Sequence, residues 1–318
     1  MNYIVFDLEW NQSPEGKEAE HPLLPFEIIE IGAQKLNEQL DPIDAFHAII
    51  KPVVYKKLHP CTKEVIGITE KELVCGRTFS DAGREFLAFC GKEYIFATWG
   101  SMDLTEFQRN LSFFQINNAL PFPLFYCDVQ KLFSLTFEDG KMRRSLEHAV
   151  EALEIPLTEV FHRADHDALY TARILKRIRP ELIKTHFSVD YYRTPRSKKE
   201  ELHLRYPDYY KYVSRKFINR EEAMADKTVT ALRCNICGRA LRKKVRWFSG
   251  NNRIFYALAE CPEHGYVKGK LRVKKNDCGD TFVVKTVKMT DTAGAEKIRS
   301  ILEEIRKKHR ERSERSEN

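Results

Sequence analysis

Apolar positions change period several times along the first 180 residues. From Asn2 to Glu9 the chain reads NYIVFDLE, β-branched and aromatic residues in a block of strand length. Phe26–Leu36, Ile43–Lys51, Tyr94–Thr98 and Leu124–Asp128 read the same way. Phe79–Cys90, Leu104–Gln115, Ser145–Leu153 and Asp165–Ile178 read as helices; in the last, Ala168, Ala172 and Ile174–Leu175 lie near helical spacing. The first three strands follow one another with no long helical pattern between them, which predicts an antiparallel meander. Later strands alternate with helices. Together they predict an α/β fold, a mixed sheet flanked by helices, over residues 1–180.

Beyond residue 180 the pattern weakens. Residues 181–230 are charged and tyrosine-rich with little apolar periodicity, and read as an arm, a packed helix or a linker; 215–230 look partly helical. Residues 231–290 regain strand-like runs, with a Ser-Gly-Asn-Asn turn at 249–252. Residues 291–318 show helical spacing at Ile298, Ile301, Leu302 and Ile305, then a charge run expected to fray after Lys307.

Composition narrows the class. Across 318 residues, 42% apolar and 31% charged content describes a globular chain with room for two domains. No run of 18 apolar residues exists, so no membrane span is expected. The N-terminus enters a strand at once, which argues against a secretory leader and for a cytoplasmic protein. Of eight cysteines, Cys61, Cys75, Cys90 and Cys127 are scattered in apolar contexts and read as free and buried. The net charge of +7 is unevenly spread: residues 231–290 hold 14 Lys/Arg against 4 Asp/Glu, and 291–318 hold 8 against 7. Residues 1–230 are therefore mildly acidic, and a short basic module follows, the footprint of a polyanion-binding segment.

The chemistry starts in the first strand. Residues i and i+2 share a face, so Asp7 and Glu9 point the same way. Two anions in a poorly solvated place repel unless a cation joins them, and a hard divalent ion suits carboxylate oxygens. The alternative is a strand end that runs into solvent. Asp103 opens a helical pattern just after an apolar strand, where an acid also serves as an ordinary helix start. His162 and Asp167 stand at His-x4-Asp spacing, the acid on a helix and the histidine on the loop before it. An imidazole that ionises near neutrality suits general-base work. Asp165 and His166 sit beside them.

In this order, Asp-x-Glu, Asp, His-x4-Asp, the chain resembles the DnaQ-like 3′–5′ exonucleases with a histidine in the third motif. FEIIEIGA resembles the family's second strand, VIGITEKEL its Gly-Ile-Thr segment near the terminal nucleotide pocket, and HRADHDA its third motif. Within the family, EIIEIG and CTKEVIGIT are similar to the ERI-1-like exoribonucleases, which include bacterial proteins described as inhibitors of a sporulation-kinase pathway. The resemblance implies an RNase H-like fold and two Mg²⁺ or Mn²⁺ ions about 3.5–4 Å apart. Asp7 would bridge them, Glu9 and Asp167 would complete one ion's shell, Asp103 would serve the other, and His162 would take the proton from the attacking water. Gly67, Ile68 and Thr69 would border the nucleotide. Trp10 would stack on a terminal base or pack in the core.

The basic module carries Cys234-x2-Cys237 and Cys261-x2-His264, paired ligands that suit one structural Zn²⁺ in a small zinc-ribbon β domain. Cys278 is a weaker substitute. Basic residues interleaved with aromatics, Arg246, Trp247 and Arg253 among them, suit single-stranded nucleic acid. The sequence therefore predicts a metal-dependent 3′–5′ exonuclease on single-stranded ends, RNA favoured over DNA. A DNA repair exonuclease and a non-catalytic regulatory scaffold are the alternatives, and the full set of four acids and one histidine argues against the scaffold.

Overall fold

In the computed structural model, which describes residues 1–117, 120–251 and 253–316, the first apolar block is strand β1 (Asn2–Asn11). It pairs antiparallel with β2 (Glu27–Leu36), and β2 with β3 (Pro42–Ile49), the predicted meander. Two short helices, α1 (Pro60–Val65) and α2 (Glu70–Val74), and the longer α3 (Phe79–Cys90) lead to β4 (Tyr94–Thr98), parallel to β1. After α4 (Met102–Phe113) comes β5 (Phe125–Asp128), parallel to β4. Helices α5 (Val129–Phe137), α6 (Leu146–Ala152), α7 (Ala164–Arg177) and α8 (Pro180–Thr185) precede β6 (Ser188–Val189), antiparallel to β5. Sheet order is β3-β2-β1-β4-β5-β6, which makes β1 central.

The alternation along β1 sorts its two faces. Ile4, Phe6 and Leu8 pack with Phe86 of α3 and Phe107 and Leu111 of α4. Tyr3 and Val5 pack with Tyr170 and Ile174 of α7 and Leu132 of α5. Each such side chain, fully buried, contributes about 1.5–3 kcal/mol. Asp7 and Glu9 continue the Tyr3 and Val5 side, so the acids emerge where the layer containing α7 begins. Gly32 lies opposite Asp7 in the sheet. A Cβ there would meet Asp165 N at 2.0 Å and the Ala164 carbonyl carbon at 2.1 Å. Only glycine lets the start of α7 rest on the β2 backbone.

The chain divides at Tyr192/Arg193, not at 180, because α8 and β6 belong to the first unit: β6 pairs with β5, and Ile183 of α8 joins the α7-side core. The second unit, Arg193–Asn318, is built on another six-stranded sheet. Here the expected arm is corrected. Residues 202–213 form β7 (Leu202–Arg205) and β8 (Tyr209–Val213), followed by α9 (Arg220–Ala225) and α10 (Lys227–Thr230). Tyr212 is fully buried against Phe217, Leu271 and Val283, and such rings supply apolar surface that a charged composition hides.

The separate small ribbon is corrected too. β9 (Lys243–Asn251), β10 (Ile254–Cys261), β11 (Gly265–Lys275) and β12 (Thr281–Met289) continue the same sheet, in the order β7-β8-β12-β11-β10-β9. Val283 and Val287 of β12 face a core that residues 210–232 complete, so four strands alone would leave it open. Asn252 of the expected turn lies outside the described residues. Helix α11 (Thr292–Ser316) does not end near Lys307 but runs nine residues further. Glu303 and Lys307, and Glu304 and Lys308, stand at the i,i+4 spacing that favours helix. Cys90 and Cys127 are buried as expected, whereas Cys61 and Cys75 are exposed. Among the described residues no helix is long and apolar enough to cross a membrane.

Candidate active site

Four acids from three elements meet in one open cleft of about 470 Å³. Asp7 and Glu9 come from β1, Asp103 from the first turn of α4, and Asp167 from the first turn of α7. Asp103 and Asp167 are buried, Asp7 and Glu9 partly so. A β-bulge between Glu9 and Trp10 re-aims the strand as it leaves the sheet.

Their charges do not tolerate one another. Burial, then the charges of Asp103, Glu9 and Asp167, holds the Asp7 carboxyl well above the usual carboxylate range. Burial with Asp167 and Glu30 nearby pushes Glu9 up to about 8. Burial raises Asp103 to about 7 against the backbone hydrogen bonds it accepts, one from Leu8. Burial likewise raises Asp167 to about 6, opposed by the hydrogen bond from the His162 backbone N–H at 3.2 Å. The protein alone cannot keep four charges here at neutral pH; a cation could.

His162 sits in the left-handed region, φ 64°, on the loop before α7. Its ring, Glu9 and Asp167 offer ligand atoms that all lie within 4.8 Å of one another. On its outer side Nε2 is 3.6 Å from Oε1 of Glu147. Acid pair, third acid, and histidine with fourth acid thus converge as the motif order requires. A family model described as Exonuclease (RNase_T) matches residues 4–175.

The chain belongs to the exonuclease family.

The DnaQ-like resemblance is borne out, and with it a nuclease function. The chain is 28% identical over 179 residues to "Probable 3'-5' exonuclease KapD" of Bacillus subtilis (strain 168), covering 55% of this chain and 83% of that protein. Among solved structures, the nuclease domain of 3′hExo, a DEDDh family member bound to rAMP, superposes with a TM-score of 0.50 at 20% identity, over 59% of this chain and 96% of that one. That likeness carries the RNase H-like fold of the first unit. The complex titled 3′-end specific recognition of histone mRNA stem-loop by 3′-exonuclease is also similar, at 20% identity and a TM-score of 0.46. It matches 55% of this chain, which spans 62% of that one.

The family implies divalent ions such as Mg²⁺ or Mn²⁺, and the exonuclease site fits them. The donors are hard carboxylate oxygens, and Oδ1 of Asp167 is buried with no hydrogen-bond partner among the described residues.

Sequence reasoning missed what supports these acids. Glu30, fully buried and opposite Glu9, accepts hydrogen bonds from Arg163 Nε at 2.9 Å and the Ala164 backbone N–H at 3.0 Å, and its Oε1 lies 2.7 Å from His47 Nε2. Burial works against its charge, but the hydrogen bonds from His47, Ala164 and Arg163 outweigh it and keep Glu30 below the usual range. Glu30 thereby ties the start of α7, hence His162 and Asp167, to the strand beside Glu9. Asn11 donates to the carbonyls of Tyr55 at 2.8 Å and Lys57 at 2.8 Å and accepts from the His59 N–H, setting the loop before α1, whose Cys61, Thr62 and Val65 line the cleft. The available signal was only a Glu inside the apolar run FEIIEIGA, two residues before Gly32, which marks the position but not its partners.

Not every predicted residue arrives. Trp10 lines the cleft, with its ring 5.6 Å from Phe26. Gly67, Ile68 and Thr69 do not line it; Ile68 is buried with Ile29 and Leu73, and Thr69 forms a capping box with Glu72 at the start of α2. Their neighbour Ile66 does reach the cleft. In the second unit, Cys234, Cys237, Cys261 and His264 come together. Cys237 and Cys261 sulfurs are 3.8 Å apart, and His264 Nδ1 lies 3.5 Å from Cys261 and 3.8 Å from Cys234. Cys278 is exposed and outside the cluster. Arg246 and Arg253 are exposed, but Trp247 is not a surface platform. Its indole donates to Thr230 O at 2.8 Å, and its ring lies over Gly269 on the buried side of the sheet.

Proposed function

We propose that the chain is a metal-dependent 3′–5′ exonuclease that removes nucleotides from single-stranded ends, RNA in preference to DNA. One observation carries the reading: four buried or half-buried acids converge at the end of β1 in a cleft where burial and mutual repulsion oppose their ionisation. Two divalent ions held there supply Lewis-acid activation of a water and of the scissile phosphate. Asp7, flanked by the other three acids, would be the ligand shared by both ions; Glu9 and Asp167 would help hold one, and Asp103 the other. His162, exposed at the rim and in reach of Glu9 and Asp167, accepts the proton from the attacking water. Glu147 orients that ring from outside, and Trp10 walls the cleft beside the terminal base. RNA is preferred here on the ERI-1-like resemblance.

The Cys/His cluster is proposed as a structural Zn²⁺ site. Zn–S of about 2.3 Å and Zn–N of about 2.0–2.1 Å in a tetrahedron require S···S near 3.8 Å and S···N near 3.5 Å. The spacings between Cys237 and Cys261, 3.8 Å, and between Cys261 and His264, 3.5 Å, fit that requirement.

The test uses 5′-labelled single-stranded RNA and DNA of one sequence. Wild type with Mn²⁺ should give a ladder shortening from the 3′ end, faster on RNA. EDTA or Asp7→Ala should abolish it. His162→Ala should slow it by about 10²–10⁴-fold, the usual worth of a general base. No ladder on either polymer sinks the catalytic reading.

A further inference from the structure

The sheet of the second unit has one face closed and one face partly open. On the closed face Tyr212, Leu271, Val283 and Val287 pack against residues 217–232. On the other, α11 covers Leu258 through Ala295 and Ile298, with Val245, Phe248 and Tyr266 around them. The register shows what stands on that second face beyond the helix. Side chains directly opposite across antiparallel strands share a face. Lys211 of β8 is opposite Thr286 of β12, Thr286 opposite Lys270 of β11, and Lys270 opposite Tyr256 of β10. The next row runs Tyr209, Lys288, Lys268, and then Leu258 beneath α11. Arg272 extends the β11 column.

Five cations therefore occupy neighbouring positions on one sheet face. Lys268 and Lys270 are half-buried, and Arg272 and Lys288 are exposed. Among the described residues these four form no ion pair. Burial, Lys288 and Lys297 disfavour the charge on Lys268, and Asp291 is the acid that relieves it. Burial, Arg272 and Lys268 do the same to Lys270. The aromatic positions lie among the cations: Lys270 Nζ is 5.9 Å from the Tyr256 ring, Tyr256 is 6.1 Å from Phe248, and Lys211 is 5.9 Å from Tyr209.

We propose that this face binds the backbone and bases of a single-stranded nucleic acid. Strands stand about 4.8 Å apart, so the row from Lys211 to Phe248 spans about 19 Å. Cations across that width attract a chain of phosphates, and rings between them offer stacking to any base. A folded acidic protein would answer the charge but would have no use for the interleaved rings. The surface differs from the one the sequence suggested, because Trp247 belongs to the closed face. The inference rests on the proposed exonuclease reading only in taking nucleic acid as the ligand.

The test measures binding of a fluorescein-labelled 20-nucleotide RNA to the full chain by anisotropy, in EDTA so that nothing is cut, from 50 to 300 mM salt. Lys268→Gln/Lys270→Gln/Lys288→Gln should weaken binding at least tenfold. It should also flatten the log Kd against log salt slope by about 2, near 0.7 for each phosphate no longer neutralised. The matching triple Lys→Arg variant should bind like wild type, and the circular dichroism of both should be unchanged. Tyr256→Leu should cost about tenfold with the salt slope unchanged. Unaltered affinity and slope in the Gln variant overturn the proposal. So does displacement of the RNA by polyglutamate with Tyr256→Leu silent, which would make the face an acidic-protein surface. Cleavage by the wild type with binding indifferent to the Gln variant defeats this site alone. Binding that depends on the three lysines, without cleavage under Mn²⁺, defeats the catalytic reading alone.

Discussion

Asp7 and Glu9 answer to physics that a strand alone does not explain. Both sit on the β1 face that elsewhere buries Tyr3 and Val5, so the acids occupy positions made for apolar side chains. In the unfolded chain these carboxyls lose their protons near pH 4. In the metal-free fold Asp167, Asp103 and Glu9 keep theirs to about 6, 7 and 8. The native state then binds more protons, so its stability falls as pH rises from about 4 to 8. Melting temperatures in EDTA should decline over that window, less steeply in Asp7→Asn, and Mn²⁺ should restore them at the upper end. Glu30 makes the opposite case, a buried acid fully supplied with donors. Glu30→Gln should leave Arg163 without its partner and destabilise by about 3–5 kcal/mol by denaturant unfolding, the usual cost of breaking a buried pair. The convergence of the four acids was legible because each motif pairs an acid with a recognisable strand or helix start. Glu30 was not, because nothing in a sequence says that the carboxylate opposite Glu9 will turn to the start of α7.

At the scale of elements, the first sheet was readable from period alone. β4 and α3 have the bounds the pattern predicts, and β2 and β5 differ by one residue at one end. α1 and α2 escaped notice because five or six residues hold too little periodicity. β7 and β8 escaped because Leu202 and Leu204 alternate with His203 and Arg205 in the first, and tyrosines surround Lys211 in the second, which resembles a solvated arm until a neighbouring strand buries it. The close approach at Gly32 is an element-level requirement: α7 must touch β2 for Asp167 to reach Asp7. Gly32→Ala should push α7 off the strand. An overpacking cost of about 1–3 kcal/mol is expected in unfolding, with a loss of activity out of proportion to it. Full activity with unchanged stability would show that the helix has room to move.

The whole molecule joins an acidic unit that carries the chemistry to a basic one that carries the Cys/His cluster. The charge split was legible from counting residues. The size of the second unit was not, because recruiting β7 and β8 depends on tertiary burial of Tyr212 and Val213. One zinc per chain should be found by elemental analysis. Cys237→Ser should abolish it and lower the thermal transition of the second unit, since binding energy at such a site stabilises the fold around it. The two-ion site is settled by calorimetric titration of the metal-free chain with Mn²⁺ in the presence of a nucleoside monophosphate. Two Mn²⁺ per chain in wild type, and none of that binding in Asp7→Asn, is the expected result; binding that is absent in wild type, or indifferent to Asp7, would contradict it.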